Sequence, residues 1–159
     1  MSIQGYITSM PSATITYEMP VLSLRVFDLL HDYGRRLEWD TLLKEARLTK
    51  GHEHAAKGAT SLCVGKFLFG LVGIETQYLT FLRGQVAAVC MINRPVMFQS
   101  FAASIRHEDI GERSRVTYKL HFRLRAMCRL LEPVVHTYLK IETRRRLRAL
   151  AEYLESREH

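Results

Sequence analysis

Polar and apolar residues alternate over residues 13–19, a period-2 pattern typical of a strand with one buried face. Over residues 21–33 the spacing changes, because apolar side chains recur every three or four positions. This second pattern predicts an amphipathic helix with Ser23 as its N-cap. Pro20 separates the two predicted elements, and Gly34 ends the helix.

The elements predicted next are shorter. Residues 35–40 predict a second helix or turn that ends at Trp39, and residues 42–48 predict a short strand. Five stretches rich in β-branched and aromatic residues follow, separated by short turn-forming segments. Because short connections join strands that run in opposite directions, these stretches predict an antiparallel meander. The five predicted strands are residues 60–69, 74–82, 86–92, 97–107 and 113–124.

The last predicted strand has two chemically different faces. We expect its apolar face to belong to the core and its basic face to contact solvent. The apolar face consists of Val116, Tyr118, Leu120, Phe122 and Leu124. The opposite face consists of Arg113, Arg115, Thr117, Lys119, His121, Arg123 and Arg125.

A long helix is predicted for the C-terminal residues 126–157. Pro133 is tolerated only in a first turn, so residues 125–132 predict a separate entry segment before it. At 100° per residue the apolar side chains of the helix form two sets on different sides, so we expect its two halves to face different surroundings. The first set is Val134, Tyr138 and Ile141, and the second is Leu147, Leu150, Ala151 and Leu154.

The order of these elements predicts an α+β fold in which one antiparallel sheet packs on one terminal helix. A chain of 159 residues is long enough for one domain with a real core. We therefore expect a polar N-terminal leader over residues 1–11 and a single domain over residues 12–157.

Several short motifs occur along the chain in a characteristic order. They are VLSLRVFDLL at residues 21–30, LEWD at 37–40, FQSFAASI at 98–105, SRVTY at 114–118 and RRRLRALAEYLE at 144–155. In order and spacing they resemble the SRPBCC superfamily, which includes START lipid-transfer domains, birch-pollen allergens and the polyketide cyclase/dehydrase group. The resemblance implies the helix-grip fold, in which a curved seven-stranded antiparallel sheet wraps a long C-terminal helix and two short helices follow the first strand.

That resemblance also implies an apolar cavity between the sheet and the final helix, where family members bind lipids, polyketides, sterols or plant hormones. Tyr118 and Tyr138 are the candidates of most interest, because a buried hydroxyl needs a partner and can orient a ligand. Ordinary core packing is the alternative for each candidate, and for Trp39 a structural place near the cavity rim. The predicted ligand-binding residues are Trp39, Tyr78, Met91, Gln99, Phe101, Tyr118, Leu120, Phe122, Met127 and Tyr138.

Metal and cofactor chemistry find little support in the sequence. His52 and His54 flank a glutamate, but they fall in a polar loop without a third ligand, so no metal site is predicted. The three cysteines are odd in number and widely spaced, which predicts reduced thiols. Phosphate-binding and nucleophile-elbow motifs are absent, so we expect no cofactor and assign no catalytic residue.

Charge is concentrated in one segment. The chain carries a formal net charge of +7, and residues 113–129 contribute six positive side chains and no acidic one. The basic strand face predicts either plain solvation or contact with an anionic surface through Arg113, Arg115, Lys119, Arg123 and Arg125. Nucleic-acid binding is not favoured, because the aromatic side chains of this strand lie on its other face.

The ends and the longest apolar stretches bear on location and assembly. Residues 1–12 lack the basic and apolar regions of a signal peptide, which predicts a cytosolic protein. Residues 67–74 form an apolar stretch too short to span a membrane, and they suggest an edge that could pair with a second copy.

Three functions are consistent with these patterns. The leading hypothesis is a non-catalytic or only weakly catalytic binder of a small hydrophobic ligand such as a lipid, isoprenoid or polyketide. The second is an enzyme of the polyketide cyclase/dehydratase type that acts in the same cavity. The third is an interaction module that uses the basic outer strand face.

Overall fold

A computed structural model describes residues 10–66 and 73–158. Most of the predicted leader and most of the apolar stretch at residues 67–74 lie outside this part, so the pairing predicted for that stretch is not described. The strands are β1 (Ser12–Met19), β2 (Leu43–Thr49), β3 (Thr60–Gly65), β4 (Gly73–Leu82), β5 (Val86–Met91), β6 (Phe98–Ile110) and β7 (Arg113–Leu124). The helices are α1 (Ser23–Leu30), α2 (Arg36–Trp39), a 3-10 helix (Ala126–Leu131) and α3 (Glu132–Ser156).

The seven strands form one antiparallel sheet in the order β1-β7-β6-β5-β4-β3-β2. This arrangement is the predicted meander, with β1 added at the edge beside β7. Register shifts occur in β2, in β4 between Tyr78 and Thr80, and in β6 between Phe98 and Ser100. Such bulges bend the strands that contain them, and a bent sheet can wrap a helix. The predicted helix-grip fold is confirmed.

Strand β6 is longer than the sequence indicated. The strand predicted for residues 97–107 ends at His107, yet β6 continues to Ile110. The turn is instead at Gly111, whose φ of 66° lies in the left-handed region that glycine adopts without strain. Strand β7 runs over the predicted residues, and its apolar side faces the interior as expected.

Helix α1 begins without the predicted side-chain cap. Ser23 is the first helical residue, and Leu22 occupies the cap position with no capping hydrogen bond. The Ser23 backbone N–H donates to Asp109 Oδ1 at 2.7 Å. The start of α1 is therefore satisfied from strand β6 rather than by its own serine, a contact that is distant in sequence.

Helix α3 buries one continuous stripe, and not two. From Thr143 onward its buried side chains recur every three or four residues, and Val135 lies eight residues before Thr143 on the same side of the helix. They are Val135, Thr143, Leu147, Leu150, Ala151 and Leu154. Val134 and Ile141 are 68% and 48% exposed, so the separate first stripe predicted for them is wrong. Thr143 continues the face where the sequence showed no apolar residue.

The main hydrophobic core lies between the second half of α3, helix α1 and strands β1, β6 and β7. Its largest fully buried side chains there include Met19, Phe98, Phe122 and Leu150. The end of α3 is tied to both short helices: Arg25 pairs with Glu158, and Glu38 of α2 accepts a hydrogen bond from the hydroxyl of Tyr153. Among the described residues, no helix has the length and apolar character needed to cross a membrane.

Candidate functional site

A cavity of about 180 Å³ lies between the first half of α3 and the part of the sheet that is farther from β1. Its walls come from all three α-helices and from β2, β3, β4, β5, β6 and β7. The apolar part of the lining is Leu30, Leu42, Leu43, Ile74, Val89, Phe101, Ile105 and Leu139. The polar part is His31, Tyr33, Arg36, Cys63, Lys66, Thr76, Tyr78, Tyr118, Tyr138, Glu142 and Arg146.

Four of the predicted ligand-binding residues line this cavity. They are Tyr78, Phe101, Tyr118 and Tyr138. Three different strands and α3 supply them, so the fold brings together side chains that are up to 60 positions apart in sequence. Whether they contact a ligand stays a prediction, but their position at the cavity is the one expected.

Other candidates lie elsewhere. Leu120 and Phe122 are fully buried among the side chains of the main core. Trp39 is also buried there, below the guanidinium of Arg36, which lies 4.8 Å from the indole centroid. Met91 packs at the edge of the same core. These four side chains pack in the core, which is the predicted alternative to ligand binding.

The cavity placement predicted for Gln99 and Met127 is wrong. Gln99 is exposed, because it lies at the β6 bulge where the register shifts between Phe98 and Ser100. Met127 is 81% exposed, because the 3-10 helix turns it away from the sheet. Periodicity could not foresee either change, since both depend on local departures from regular strand or helix.

A chain of hydrogen-bonded side chains forms one wall. The Tyr78 hydroxyl lies 2.7 Å from His31 Nδ1 and 3.3 Å from the Tyr33 hydroxyl. Tyr33 donates to Ser61 Oγ at 2.9 Å, and Ser61 Oγ lies 3.1 Å from Thr76 Oγ1. Helix α1 and the turn after it supply His31 and Tyr33, while β3 and β4 supply the other three. The network links the helical layer to the sheet across the cavity.

Burial keeps this network electrically neutral. It raises the pKa of Tyr78 well above the usual value and also raises the pKa of Tyr33. Burial, reinforced by the nearby charge of Arg36, lowers the pKa of His31 well below its usual value. At neutral pH the wall therefore presents hydroxyls and a neutral imidazole, which can donate to or accept from a polar ligand group.

Next to this wall, two arginines share one carboxylate. Asp40 Oδ2 accepts from Arg36 Nε at 3.0 Å and from Arg146 Nε at 2.9 Å. Arg36 also donates through Nη1 to the backbone oxygen of Leu30 at 2.6 Å. Arg36 and Asp40 are separated by four residues at helix α2, whereas Arg146 reaches them from α3. The cluster therefore fastens α3 to α2 at the cavity.

The arginine cluster leaves one positive charge in the interior. Burial favours a neutral Asp40, but Arg146 and Arg36 outweigh it and hold the pKa of this carboxyl below its usual range. Asp40 is thus ionised, and two guanidiniums face a single carboxylate. Because Arg36 and Arg146 both line the cavity, that part of its wall favours a negative or strongly polar oxygen.

Sequence reasoning missed His31, Arg36, Asp40 and Arg146. Arg146 was not among the predicted site residues, although it lies seven residues after Leu139 and hence on the same face of α3. Arg36 and Asp40 have the i, i+4 spacing of a helical ion pair. Both spacings can be read from the sequence, but the sequence does not show that α2 and α3 meet at one carboxylate.

The remaining polar features do not form a second centre. No group of three potential metal ligands occurs in residues 10–66 and 73–158. All three cysteines are free and half-buried, and burial raises the pKa of the Cys63 thiol at the cavity. On the basic face of β7, Arg115 pairs with Glu108 at 2.9 Å and with Glu18 at 3.6 Å. The predicted partner of that face stays a prediction.

Comparison with known proteins relates this site to one family. Residues 10–155 match the family model described as polyketide cyclase / dehydrase and lipid transport. Among solved structures, the Zhui aromatase/cyclase of a Streptomyces species has a TM-score of 0.79 and 11% identity, covering 94% of this chain and 96% of that one. A comparison with curated proteins finds no match.

Two further structures have the same fold. A protein from Thermus thermophilus has a TM-score of 0.75 and 14% identity over 94% of this chain and 100% of that one. A START superfamily protein from Mycobacterium smegmatis has a TM-score of 0.63 and 12% identity, covering 90% and 98% of the two chains. At such identities the likeness concerns the fold alone.

Proposed function

Because the chain belongs to the polyketide cyclase / dehydrase and lipid transport family, we propose that its cavity binds a small molecule with an apolar body and one oxygen-rich polar end. The apolar body would contact Leu43, Ile74, Phe101 and Leu139. The polar end would face the arginine cluster and the neighbouring hydroxyls. Ligand binding itself carries no requirement for catalysis, as the leading sequence hypothesis held.

The uncompensated guanidinium charge is the observation that carries this proposal. An isolated charge in a protein interior is costly, so a cation that exceeds its protein counterions gains from a bound anion. Arginine also presents planar donors that match a carboxylate or another pair of oxygens. A ligand carboxylate or enolate would thus complete the charge balance that Asp40 alone leaves unfinished.

Cavity size supports a compact ligand. The volume of about 180 Å³ is well above the roughly 10–15 Å³ that one water needs and below the roughly 300–1,000 Å³ of drug-sized sites. A short-chain or single-ring acid suits this space better than an extended polyketide or a sterol. The polar groups cluster on the α2 side, so such a ligand would bind in one orientation.

Octanoate and 1-octanol test the proposal, because they share the apolar chain and differ in the charged end. We expect calorimetry to give an affinity for octanoate about tenfold higher than for octanol, as one charge-assisted hydrogen bond supplies. The Arg146→Met variant should remove that preference, while Asp40 keeps its pair with Arg36 and the chain stays folded.

Arg148→Met is the matched control, since Arg148 lies on the exposed side of α3 and pairs with Glu152 at 2.9 Å. It should retain the preference for octanoate. Equal affinities of the wild-type protein for the two compounds, or binding of neither, would contradict the proposed function.

An enzyme of the cyclase/dehydratase type is the second candidate. The observation that favours it is the Tyr78 hydroxyl, which lines the cavity and lies 2.7 Å from a neutral histidine. Such a hydroxyl can hydrogen-bond a ketone oxygen and favour attack on its carbon, the step that closes a ring in an aldol reaction. The predicted cytosolic location and homodimer bear on neither candidate and stay predictions.

A synthetic poly-β-ketone thioester tests the second candidate. An enzyme would form a ring and release one water faster than buffer does, as followed by absorbance and mass spectrometry. Tyr78→Phe should then slow the reaction at least about a hundredfold, the usual size of an acid–base contribution. Tyr17→Phe, which alters a hydroxyl outside the cavity lining, is the control. Reaction at the buffer rate leaves ligand binding as the function.

A further inference from the structure

Five apolar side chains project from one end of the molecule. Leu130 is 96% exposed, Met127 is 81% exposed and Val96 is 78% exposed, and Val134 and Leu131 are also exposed. At this exposure Leu130, Met127 and Val96 stand clear of the protein surface instead of lining a groove. Contiguous exposed apolar groups of this kind mark interaction sites in soluble folds. We call these five residues the apolar tip.

Backbone contacts hold the two parts of the tip together. Val96 lies in the β5–β6 connection, while the other four residues belong to the 3-10 helix and the start of α3. The Arg125 backbone N–H donates to Met97 O at 2.9 Å, and Arg125 Nε donates to Pro95 O at 3.2 Å. Residues on both sides of Val96 therefore contact the entry to the 3-10 helix.

Basic side chains surround the tip. Arg94 and Arg129 are exposed, and Arg125 lies between the two parts. No acidic residue occurs in residues 91–107 or 113–131 of the sequence. The nearest acid along the chain, Glu132, has a side chain that is only 15% exposed and lies 4.0 Å from Arg129. The surface is thus apolar at its summit and positive around it.

We propose that the apolar tip and its arginines dock this protein on an anionic lipid bilayer. An apolar summit can enter the acyl region while the arginines stay at the headgroups, where each cation gains from negative lipid. A convex group of isolated side chains suits a deformable medium, since a protein partner would need a matching hollow. The exposed arginines around the tip, beside a Glu132 side chain that is only 15% exposed, give charge complementarity to phosphatidylserine.

The tip lies at the end of the sheet where the cavity reaches the surface. Strands β3, β5 and β7 run in the same direction in the antiparallel order, so all three end there. Exposed Lys66, which follows β3, lines the cavity, and Val134 lies one turn of α3 before Tyr138. Docking through the tip would turn this end of the cavity toward the bilayer. The docking proposal stands independently of any ligand.

Co-sedimentation with phosphatidylcholine vesicles, with and without phosphatidylserine, tests the docking. We expect binding to the anionic vesicles that weakens with salt. Replacing Leu130 and Met127 together by aspartate should weaken it at least tenfold, roughly the gain from burying one large apolar side chain. Arg94→Gln and Arg129→Gln should each weaken binding about fivefold. All variants should keep their affinity for octanoate, which separates docking from the cavity.

Leu79→Asp is the control, because Leu79 is an equally apolar and half-exposed residue in β4. It should bind vesicles like the wild type. Equal binding to neutral vesicles, or anionic binding that survives the double aspartate change, would overturn the proposal. So would a dimer in sedimentation velocity that the double change dissociates without any vesicle binding, because a second copy would then cover the tip.

Discussion

The two sides of helix α3 contact regions of different chemistry. Toward β1, β6 and β7 the helix meets a solid apolar core that includes Leu150, Phe122 and Met19. Toward β2, β3 and β4 it meets a cavity whose wall holds Arg146 and the tyrosine–histidine network, and Arg146 donates to the buried Asp40. The first side stabilises the fold through burial alone. The second also depends on ion pairs and hydrogen bonds between buried polar groups.

The stability that the apolar side contributes should therefore be independent of pH, whereas the stability that the cavity side contributes should depend on it. The apolar core has no ionisable side chain among its buried members. The cavity side contains Asp40 and His31, and the buried aromatic side chains next to it include His107. The pKa values of all three are displaced by burial or by neighbouring charge. Changes on the two sides should therefore be distinguishable by their dependence on pH.

The largest effect is expected at Asp40. Asp40→Ala leaves two guanidiniums without their shared counterion in a buried site, and we expect the free energy of unfolding to fall by about 3–5 kcal/mol. Because the pKa of Asp40 is lowered in the folded state, its contribution is present above about pH 4 and is lost as the pH falls through the folded pKa. Urea denaturation at neutral pH measures the loss.

The same substitution at Asp28 is the control. Asp28 pairs with Arg83 at 2.6 Å, but both side chains are exposed. Screening by water makes such surface pairs weak, so Asp28→Ala should cost several-fold less. Equal losses for the two variants would mean that burial does not distinguish the arginine cluster from a surface ion pair.

On the apolar side, Leu150→Ala should cost about 3 kcal/mol, the usual loss when a fully buried leucine leaves a cavity. The loss should be the same at pH 7.5 and at pH 5, because no group that titrates lies in that core. Leu82→Ala, at a half-exposed position, should cost much less. A loss at Leu150 that grows as the pH falls would contradict the separation of the two sides.

His107 gives the smallest of the three effects. Burial lowers its pKa to about 4, against about 6.5 in the unfolded chain. The unfolded state therefore binds a proton first, and stability is full above pH 6.5 and declines below it. This histidine alone should remove about 2 kcal/mol between pH 7.5 and pH 5.

His107→Gln should reduce the fall in unfolding free energy over that range by this amount, as measured by urea denaturation at both values. His52→Gln, in an exposed loop, should leave the fall unchanged. A His107→Gln variant with the wild-type pH dependence would show that His107 is not the group that titrates.

Most of the fold followed from periodicity, because period-2 and period-3.6 patterns directly reflect which side of an element is buried. β7 and its two faces were predicted to the residue. The errors fell where a distant element replaces a local signal: Asp109 takes the capping role assigned to Ser23, and Thr143 continues the buried face of α3. Neither contact is visible in a window of neighbouring residues.

The site was predictable in part. The resemblance and strand parity placed Tyr118 and Phe101 at the cavity, since inward positions alternate along a strand, whereas parity did not decide the position of Tyr78. The charged half was missed, because a sequence rule assigns arginine and aspartate to the surface. Arg146 and Asp40 pair with each other in the folded protein. Because they lie 106 positions apart, no local sequence pattern links them.

The contacts at the C-terminal end of α3 anchor that end, so the helix can be treated as a rod that is fixed at one end. Its far end is fixed by the Arg25–Glu158 pair and by the contact between Tyr153 and Glu38, while Val135 is the only buried side chain among residues 132–141 of the helix. Tyr138 lies about 18 Å along the axis from Leu150. A tilt of about 5° about that anchored region moves Tyr138 by about 1.6 Å. A small rotation at the anchored end of α3 would thus move the cavity wall at Tyr138.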